Sequence, residues 1–211
     1  GDEKVRHEIN QKLTKDNIIS LLLESGSWPY IRQRPYNIIA RTDKMPKAIF
    51  ISTHSTAPYD VDYDFIIKER LNDFQNGVNI MSKIIDKPIT LTTSADKESI
   101  FSNLNNIDII NIKGKHPSGN VSFQINRINP INIGETVWVI KAEDIANIGS
   151  FFKTGIFNPT RTIGVSGSSV KNPKYYKTKI GSKISSILSE SDINNYKRNR
   201  YINGDPLTGC K

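Results

Sequence analysis

The segment from Ser25 to Tyr36 holds the residue types best suited to binding a ligand or a partner. It carries an indole at Trp28 and two guanidinium groups at Arg32 and Arg34, between a leucine-rich helix and the first predicted strand. In nucleotide-binding α/β proteins such a junction often has several glycines, whose backbone amides close on a phosphate. Here one glycine is followed by two prolines and large rings, which prevent that close approach. The segment therefore predicts a surface for a partner or for a flat, weakly anionic ligand.

The two arginines of this segment alternate around Gln33, so on an extended backbone they would point the same way. Adjacent guanidinium groups repel each other unless an anion or a carboxylate lies between them. Two alternatives stay open at this point. The arginines could form ordinary surface salt bridges, and Trp28 could be a packing anchor rather than a stacking platform.

The elements that would position this segment alternate between helix and strand. Predicted helices cover Lys15–Glu24, Ile67–Ile85, a stretch from a capping box at Thr93–Asp96 to about Asn103, and Ile145–Phe152; predicted strands cover Lys47–Ser52, Pro88–Thr92, Ile107–Ile112 and Val137–Ile140. Alternation of this kind predicts an α/β fold with a parallel, Rossmann-like sheet and right-handed crossovers.

The pattern changes at Pro159. Two strands, a short helix and a closing strand are predicted at Thr160–Gly167, Tyr175–Ile180, Ser182–Leu188 and Arg200–Ile202. We therefore expect two domains, an α/β domain over 1–158 and a small α+β domain over 159–211.

Composition narrows the function classes. The 211 residues carry a net charge of +8, and the lysines and arginines are interpreted as a dispersed, solvated surface with clusters only at Lys174–Lys183 and Lys197–Arg200. Dispersed charge disfavours a nucleic-acid-binding module and leaves an acidic protein or an anionic membrane face as alternatives. No apolar run is long enough for a membrane span, so direct membrane insertion is not expected. A single cysteine, Cys210, excludes an internal disulfide and a cysteine-held iron–sulfur cluster.

Six motifs in order carry a family resemblance. The first segment fits Leu-x-x-Ser-Gly-x-Trp-x-x-x-Arg-x-Arg-Pro-(Tyr/Phe), and further blocks follow at Lys47–Ile51 with Thr56–Pro58, His116–Gly119, Phe151–Gly155, Val170–Pro173 and Leu207–Gly209. In this order they resemble the A-subunit family of the bacterial Na⁺-translocating NADH:quinone oxidoreductases. The resemblance spans nearly the whole chain.

The resemblance implies a fold and a setting. It implies that the second domain is a β-grasp of the soluble-ligand-binding type, and that the chain is a middle fragment of a peripheral subunit on the cytoplasmic face of the bacterial inner membrane. Its partners would be the membrane and peripheral subunits of a complex that moves electrons from NADH to quinone and exports Na⁺. Its role would be structural or quinone-related, with NAD and flavin held by partner subunits, and the isolated fragment would not be catalytic.

More distant relatives sharpen the cofactor prediction. The flavin-bearing subunits of complex I and of the Rnf complex have a Gly-rich flavin loop where this chain has Trp28 to Pro35. That departure predicts no flavin here, and the alternative of a flavin- or NADH-binding oxidoreductase domain lacks its phosphate cradle.

Two histidines complete the candidate set. His54 and His116 follow predicted strands, where α/β sheets place ligands, so either could donate a hydrogen bond to a quinone carbonyl or a ribose. The alternative for each is a loop histidine bonded to backbone. No His or Cys stands at metal-ligand spacing, so no metal site is predicted. The candidate ligand or docking residues are thus Trp28, Arg32, Arg34, His54 and His116, with no catalytic residue among them.

Overall fold

The computed structural model describes residues 5–9, 12–194, 198–207 and 209–210. Lys197 and Thr208, which belong to motifs named above, lie outside the described residues. The chain divides into two compact units, one of residues 1–55 with 63–158 and the other of residues 56–62 with 159–211. Each unit is described by itself.

The first unit holds all five α-helices of the described chain and six strands. The helices are α1 (Lys15–Glu24), α2 (Tyr63–Ile67), α3 (Leu71–Ile84), α4 (Val121–Ile128) and α5 (Ala142–Thr154); the strands are β1 (Arg32–Arg34), β2 (Ile38–Ile39), β3 (Ile49–Ser52), β4 (Ile89–Ser94), β5 (Asp108–Ile112) and β6 (Val137–Val139). Thr14 caps α1, because its side chain accepts a hydrogen bond from the Asn17 amide. Gly155 ends α5 in the left-handed conformation that favours glycine.

The six strands form one mixed sheet in the order β2-β1-β6-β3-β4-β5. Strands β6, β3, β4 and β5 are parallel, and the apolar run Ile49–Ile51 of β3 is fully buried, as expected for a central parallel strand. This confirms the predicted α/β class. The antiparallel pairing of β1 with β6 and β2 was not predicted, because the sequence pattern before Lys47 indicates only a loop.

Helices α3 and α5 pack backbone against backbone. A Cβ added to Gly77 would stand 2.1 Å from the Ile145 carbonyl oxygen, and one added to Gly149 would stand 1.8 Å from the Asp73 carbonyl oxygen. The Asn76 side-chain amide donates to the Gly149 carbonyl at 2.7 Å. These two glycines therefore set the closeness of the helices on this side of the sheet.

Two expectations for the first unit are wrong, and one helix was not predicted. The predicted helix Ile67–Ile85 is interrupted by a 3₁₀ turn at Lys68–Arg70. The predicted helix after Thr93 is absent from the described chain, because β4 continues to Ser94 in register with Ile112 and the Ser94 hydroxyl then accepts from the Asp96 amide in a turn. Helix α4 is not among the predicted elements, although its apolar residues recur at Val121, Ile125 and Ile128.

The second unit is built on an antiparallel hairpin of β7 (Thr160–Val165) and β8 (Lys174–Lys179), close to the two strands predicted there. The predicted helix Ser182–Leu188 is reduced to a 3₁₀ turn at Ile184–Ser186, and Arg200–Ile202 is not a strand. The only pairing near that segment in the described residues is a single bridge between Asn203 and Cys210.

The net positive charge of the chain is concentrated in this region, because it has few acidic residues. Residues 159–211 contain ten Lys and Arg against three Asp and Glu, so they carry +7 of the net +8. The basic residues themselves occur along the whole chain, because the other nineteen lie in residues 1–158, and the two predicted clusters both fall within 159–211.

Candidate functional site

The amino half of the Trp28–Tyr36 segment is part of the core. Trp28 is 3% exposed, its indole Nε1–H donates to the Ala40 carbonyl at 2.7 Å, and its ring meets Trp138 edge-on with centroids 5.5 Å apart. The backbone here forms a 3₁₀ turn over Trp28–Tyr30 with proline at its second position. Of the two readings of Trp28, these contacts favour the packing anchor.

The carboxyl half of the segment is the strand β1, whose side chains alternate. Gln33 is buried between the two half-buried arginines, and its Oε1 accepts a hydrogen bond from the Arg41 amide at 3.2 Å. Arg32 donates from Nη2 to the Asn37 carbonyl, within the turn between β1 and β2. The inward Gln33 therefore fixes the register that leaves both guanidinium groups on the other face of the strand.

Arg34 differs from Arg32 in lacking an acceptor. Its Nε is buried and has no hydrogen-bond partner. Burial lowers the pKa of the Arg34 guanidinium below its usual value, and the neighbouring positive charge of Arg32 lowers that pKa further. No ion pair to a carboxylate is found for either arginine among the described residues, so the salt-bridge alternative lacks its acidic partner.

Arg34 lines a small open pocket of about 200 Å³ against helix α4. Its remaining lining is Pro35, Ser122, Ile125, Asn126 and Ile131. Ile125 also belongs to a core cluster with Ala48, Phe50 and Val137, which fixes α4 against the sheet. The pocket thus has apolar walls, a hydroxyl, an amide and one guanidinium, on a rigid support.

His54 lies in a buried polar network at the carboxyl end of β3. Its Nε2 is 3.3 Å from the Ser118 hydroxyl oxygen, and that hydroxyl donates to the Gly114 carbonyl at 2.9 Å, so His54 Nε2 acts as the donor. Burial lowers the pKa of His54, and the negative charge of Asp96 opposes this in part. The histidine is 7% exposed and bonded within the fold, so it is poorly placed to meet a ligand.

Gln124 of α4 extends the same network. Its Nε2 donates to the Ser118 carbonyl at 2.9 Å, and its Oε1 accepts from the Thr92 hydroxyl at 2.7 Å. Neither Ser118 nor Gln124 is a candidate site residue on sequence grounds. The helical spacing of Val121, Ile125 and Ile128 places Gln124 one position from the buried stripe, and this is the available signal.

The five candidate residues do not form one site. Trp28 is in the core, His54 is in the internal network, and His116 is exposed in the loop after β5. Arg34 is in register with Val137, the first residue of β6, whereas His54 follows the last residue of β3. Since β3 and β6 are parallel, Arg34 and His54 lie toward opposite ends of these strands.

The position where Rossmann-like sheets bind nucleotides has its own acidic residues. The chain order reverses between β3 and β6, so their carboxyl ends and the start of α5 form the usual ligand crevice. Glu143 and Asp144 occupy the first turn of α5 and are both buried. Carboxylates there are stabilised by the helix dipole and repel a phosphate.

Two further properties concern the described residues as a whole. Among them no group of three or more His, Cys, Asp or Glu could hold a metal ion. None of the helices in the described part of the chain has the length and apolarity to cross a bilayer.

Comparison with protein families covers both units. The model of the NqrA second alpha/beta domain matches residues 13–157, and the model of the NQRA C-terminal domain matches residues 162–211. The chain belongs to the NqrA family. The first match alone covers more than half of the chain.

Relatives of this family match along nearly all of the chain. The A-subunit of the Na(+)-translocating NADH-quinone reductase from Neisseria meningitidis serogroup B is 32% identical over 208 residues, covering 99% of this chain and 46% of the relative. The protein of the same name from Haemophilus influenzae is 32% identical over 215 residues, covering 99% of this chain and 48% of the relative. The chain thus spans about half the length of these NqrA relatives.

Solved structures share the fold at much lower sequence identity. An NAD+-reducing [NiFe]-hydrogenase in the air-oxidized state superposes with a TM-score of 0.59 at 13% identity, covering 82% of this chain and 38% of that chain. An NAD+-reducing [NiFe]-hydrogenase in the H2-reduced state superposes with a TM-score of 0.55 at 12% identity, covering 86% of this chain and 39% of that chain. At such identity the likeness concerns the fold alone.

Proposed function

We propose that this chain is the α/β and C-terminal part of a peripheral subunit of a Na⁺-translocating NADH:quinone oxidoreductase, on the cytoplasmic face of the bacterial inner membrane. Its part is architectural: it docks on the membrane and peripheral subunits and has no flavin or iron–sulfur centre of its own. The observation that carries the proposal is the match to NqrA relatives over 99% of the chain. The electron transfer, the Na⁺ export and the bound NAD and flavin belong to the assembled complex.

The chemistry of the described residues supports a role without a resident nucleotide. The 3₁₀ turn at Trp28–Tyr30, with its proline and rings, stands where a Gly-rich loop would be needed to approach a phosphate. Glu143 and Asp144 occupy the helix start that would otherwise favour one. These two features disfavour the alternative function of a flavin- or NADH-binding oxidoreductase domain.

A docking role is favoured over direct quinone binding by this chain. The side chains that could donate to a quinone carbonyl do not converge, because His54 is bonded internally and Arg34 lies toward the other end of the strands. The pocket at Arg34, about 200 Å³, is smaller than the roughly 300–1,000 Å³ of most small-molecule sites. A quinone contribution from this chain would therefore require surfaces completed by partner subunits.

Assembly of the full-length subunit tests this function. We expect replacement of both Arg32 and Arg34 by Gln to weaken co-purification of the complex and to lower its NADH:quinone turnover. The matched control is Arg41→Gln, which removes an exposed arginine paired with Asp43 outside the pocket. Normal assembly and turnover in the double variant would contradict a docking role for this surface.

Cofactor content is a second, independent measurement. The purified 211-residue chain should show no stoichiometric absorbance band near about 450 nm, where a bound oxidised flavin would absorb through its own ring electronics. Such a band would instead support the flavin-binding alternative.

A further inference from the structure

The segment that follows β8 in the second unit presents lysines and isoleucines together at its surface. Lys177, Lys179 and Lys183 are exposed, and Ile180 and Ile184 are 52% and 54% exposed. Single exposed apolar side chains are common on folded proteins. Two of them among three cations within residues 177–184 form a patch of mixed character, and we call these residues the lysine–isoleucine turn.

Backbone hydrogen bonds hold the lysine–isoleucine turn in a defined shape. The Ser182 amide donates to the Lys179 carbonyl at 3.1 Å, and Gly181 between them has a φ of +82°, as the third residue of a type II turn requires. The Leu188 amide donates to the Ile184 carbonyl at 3.0 Å, and the Leu188 side chain is buried. The fold therefore buries the leucine of this region and leaves both isoleucines at the surface.

The charge around this turn is positive over a long stretch of the sequence. Residues 159–189 contain six Lys and Arg and no Asp or Glu, and five of the six are lysines. Within the part of the chain that the structure describes, no ion pair to a carboxylate is found for Lys177 or Lys183. The turn therefore favours an anionic partner.

The acidic segment 60–62 of the same unit lies toward the other end of the hairpin. The Asp62 amide donates to the Tyr175 hydroxyl at 2.9 Å. Tyr175 precedes Lys179 by four residues, which is about 13 Å along a strand. These carboxylates are therefore not placed to neutralise the turn.

The composition of the lysine–isoleucine turn favours the surface of an anionic bilayer over an acidic protein. Lysine is depleted from protein interfaces, where arginine and aromatic side chains are enriched, and this turn has neither of these. Peripheral membrane contacts combine cations, which attract lipid phosphates, with apolar side chains that enter the headgroup region. Lysine suits such a contact because its apolar stem can lie along the interface while its ammonium group stays with the phosphates.

We propose that the lysine–isoleucine turn binds the phosphates of an anionic phospholipid bilayer, with Ile180 and Ile184 entering the headgroup region. The contact is peripheral and needs no membrane-spanning segment. The choice of a bilayer rests in part on the proposed function, which puts the subunit beside the inner membrane. The inference adds a direct contact between this chain and lipid to its contacts with partner subunits.

The test uses the whole 211-residue chain in flotation with lipid vesicles at physiological ionic strength. The probe is a vesicle of equal parts phosphatidylglycerol and phosphatidylcholine, and the reference is a vesicle of phosphatidylcholine alone. We expect binding to the anionic vesicles that weakens as salt is added, and binding to the neutral vesicles that is weaker by at least about tenfold. Equal binding to both vesicles, or no binding to the anionic ones, would overturn the inference.

Removal of the lysine charges should remove most of the binding. The variant combines Lys177→Gln, Lys179→Gln and Lys183→Gln. We expect its affinity for anionic vesicles to fall by about tenfold to a hundredfold, since each lysine near an anionic surface contributes roughly fivefold. The control makes the same change of net charge at three exposed lysines of the first unit, Lys83, Lys87 and Lys115. Equal losses in the two triple variants would show that net charge, and not this turn, binds the vesicle.

The isoleucines distinguish a bilayer from a soluble polyanion. Ile180→Ser with Ile184→Ser keeps every charge and should weaken vesicle binding by roughly tenfold, because less apolar surface enters the lipid. The control is Ile38→Ser with Ile39→Ser, a similarly exposed pair on β2. Both pairs should keep the melting temperature of the unmodified chain. Unchanged vesicle binding in the variant of the turn would contradict the bilayer contact.

Competing anions test the other possible partners of a basic surface. Poly-glutamate stands for an acidic protein, a single-stranded RNA for nucleic acid, and inorganic phosphate for a free phosphate. At equal concentration of charge, none of the three should displace the chain from anionic vesicles. Displacement by any of them would transfer the assignment from the bilayer to that class of anion.

Failure of this inference is distinguishable from failure of the proposed function. Vesicle binding is measured on the isolated chain, whereas the docking role is measured by assembly of the complex. A full-length subunit that assembles, together with a chain that does not bind anionic vesicles, would overturn the lipid contact and leave the function standing. Vesicle binding by a subunit that does not enter the complex would overturn the function and leave the lipid contact standing.

Discussion

The α3–α5 contact and the pocket between β1 and α4 belong to the same unit, and they differ in the kind of donor that is left unpaired. Between the helices, Arg70 donates to the Asn147 side chain at 2.8 Å, Asn76 donates to the Gly149 carbonyl, and two glycines bring the backbones together. At the pocket, the buried Nε of the Arg34 guanidinium has no hydrogen-bond partner. Each region therefore holds one buried, unpaired donor, but in the helix contact it is the neutral amide nitrogen of Asn147, whereas at the pocket it belongs to a charged arginine.

The largest effect on stability is expected at Trp28, which is packed in the core although it belongs to the same segment as Arg34. Trp28→Ala should lower the free energy of unfolding by about 3–5 kcal/mol, because it empties a core site and leaves the Ala40 carbonyl without its donor. Chemical denaturation measures this. The control is Tyr36→Ala, an exposed ring whose loss should change stability by less than about 0.5 kcal/mol. Equal losses in the two variants would show that the segment is not divided in this way.

A somewhat smaller loss of stability is expected at the contact between helices α3 and α5. In Gly149→Ala the new Cβ would stand 1.8 Å from the Asp73 carbonyl oxygen, so α3 and α5 must separate. We expect a destabilisation of about 2–3 kcal/mol from overpacking, measured by denaturation. Ser150→Ala, the next position on the same helix, should stay within about 0.5 kcal/mol of the unmodified chain. A stable Gly149→Ala protein would mean that the backbones are not held at this distance.

The polar network at His54 should give a pH-dependent effect. The pKa of His54 is lowered in the folded chain, so protonation favours the unfolded state. This contribution to stability is present above the ordinary histidine pKa of about 6.5 and is lost as the pH falls through the lower pKa of the folded state. In His54→Gln, where the amide can still donate to Ser118, the fall in melting temperature between neutral and mildly acidic pH should become smaller. Identical pH profiles for the two proteins would exclude His54 as a source of this dependence.

Sequence patterns are sufficient where one strong regularity decides the structure. Helix α1, the buried run of β3 and the glycine stop of α5 follow from periodicity, apolar content and capping chemistry. Sequence patterns are insufficient where pairing with a strand distant in the chain overrides a local signal. Thr93 begins the predicted capping box, but its pairing with Asn111 keeps it in a strand.

The candidate site is predictable only in part for the same reason. Residue type singles out Arg34, but the pocket wall comes from α4, about ninety residues later in the chain, through the shared core of Ile125, Phe50 and Val137. His54 is a candidate because it follows a strand. Its burial depends on Ser118, in a loop that the strand pattern does not position.

The smallest effect on stability should have the opposite sign. Arg34→Met keeps the apolar stem that packs in the pocket wall and removes a buried, unpaired donor together with the repulsion from Arg32. We expect the isolated chain to be unchanged or more stable by up to about 1 kcal/mol, while assembly of the full-length subunit is weakened. A gain in stability with a loss of binding is the usual result when a site is held in readiness for a partner. Arg70→Met is the contrasting variant, because Arg70 has its acceptor Asn147 inside the fold and its loss should destabilise the chain. If both methionine variants destabilise alike, Arg34 serves the fold as Arg70 does, and the difference between the two regions disappears.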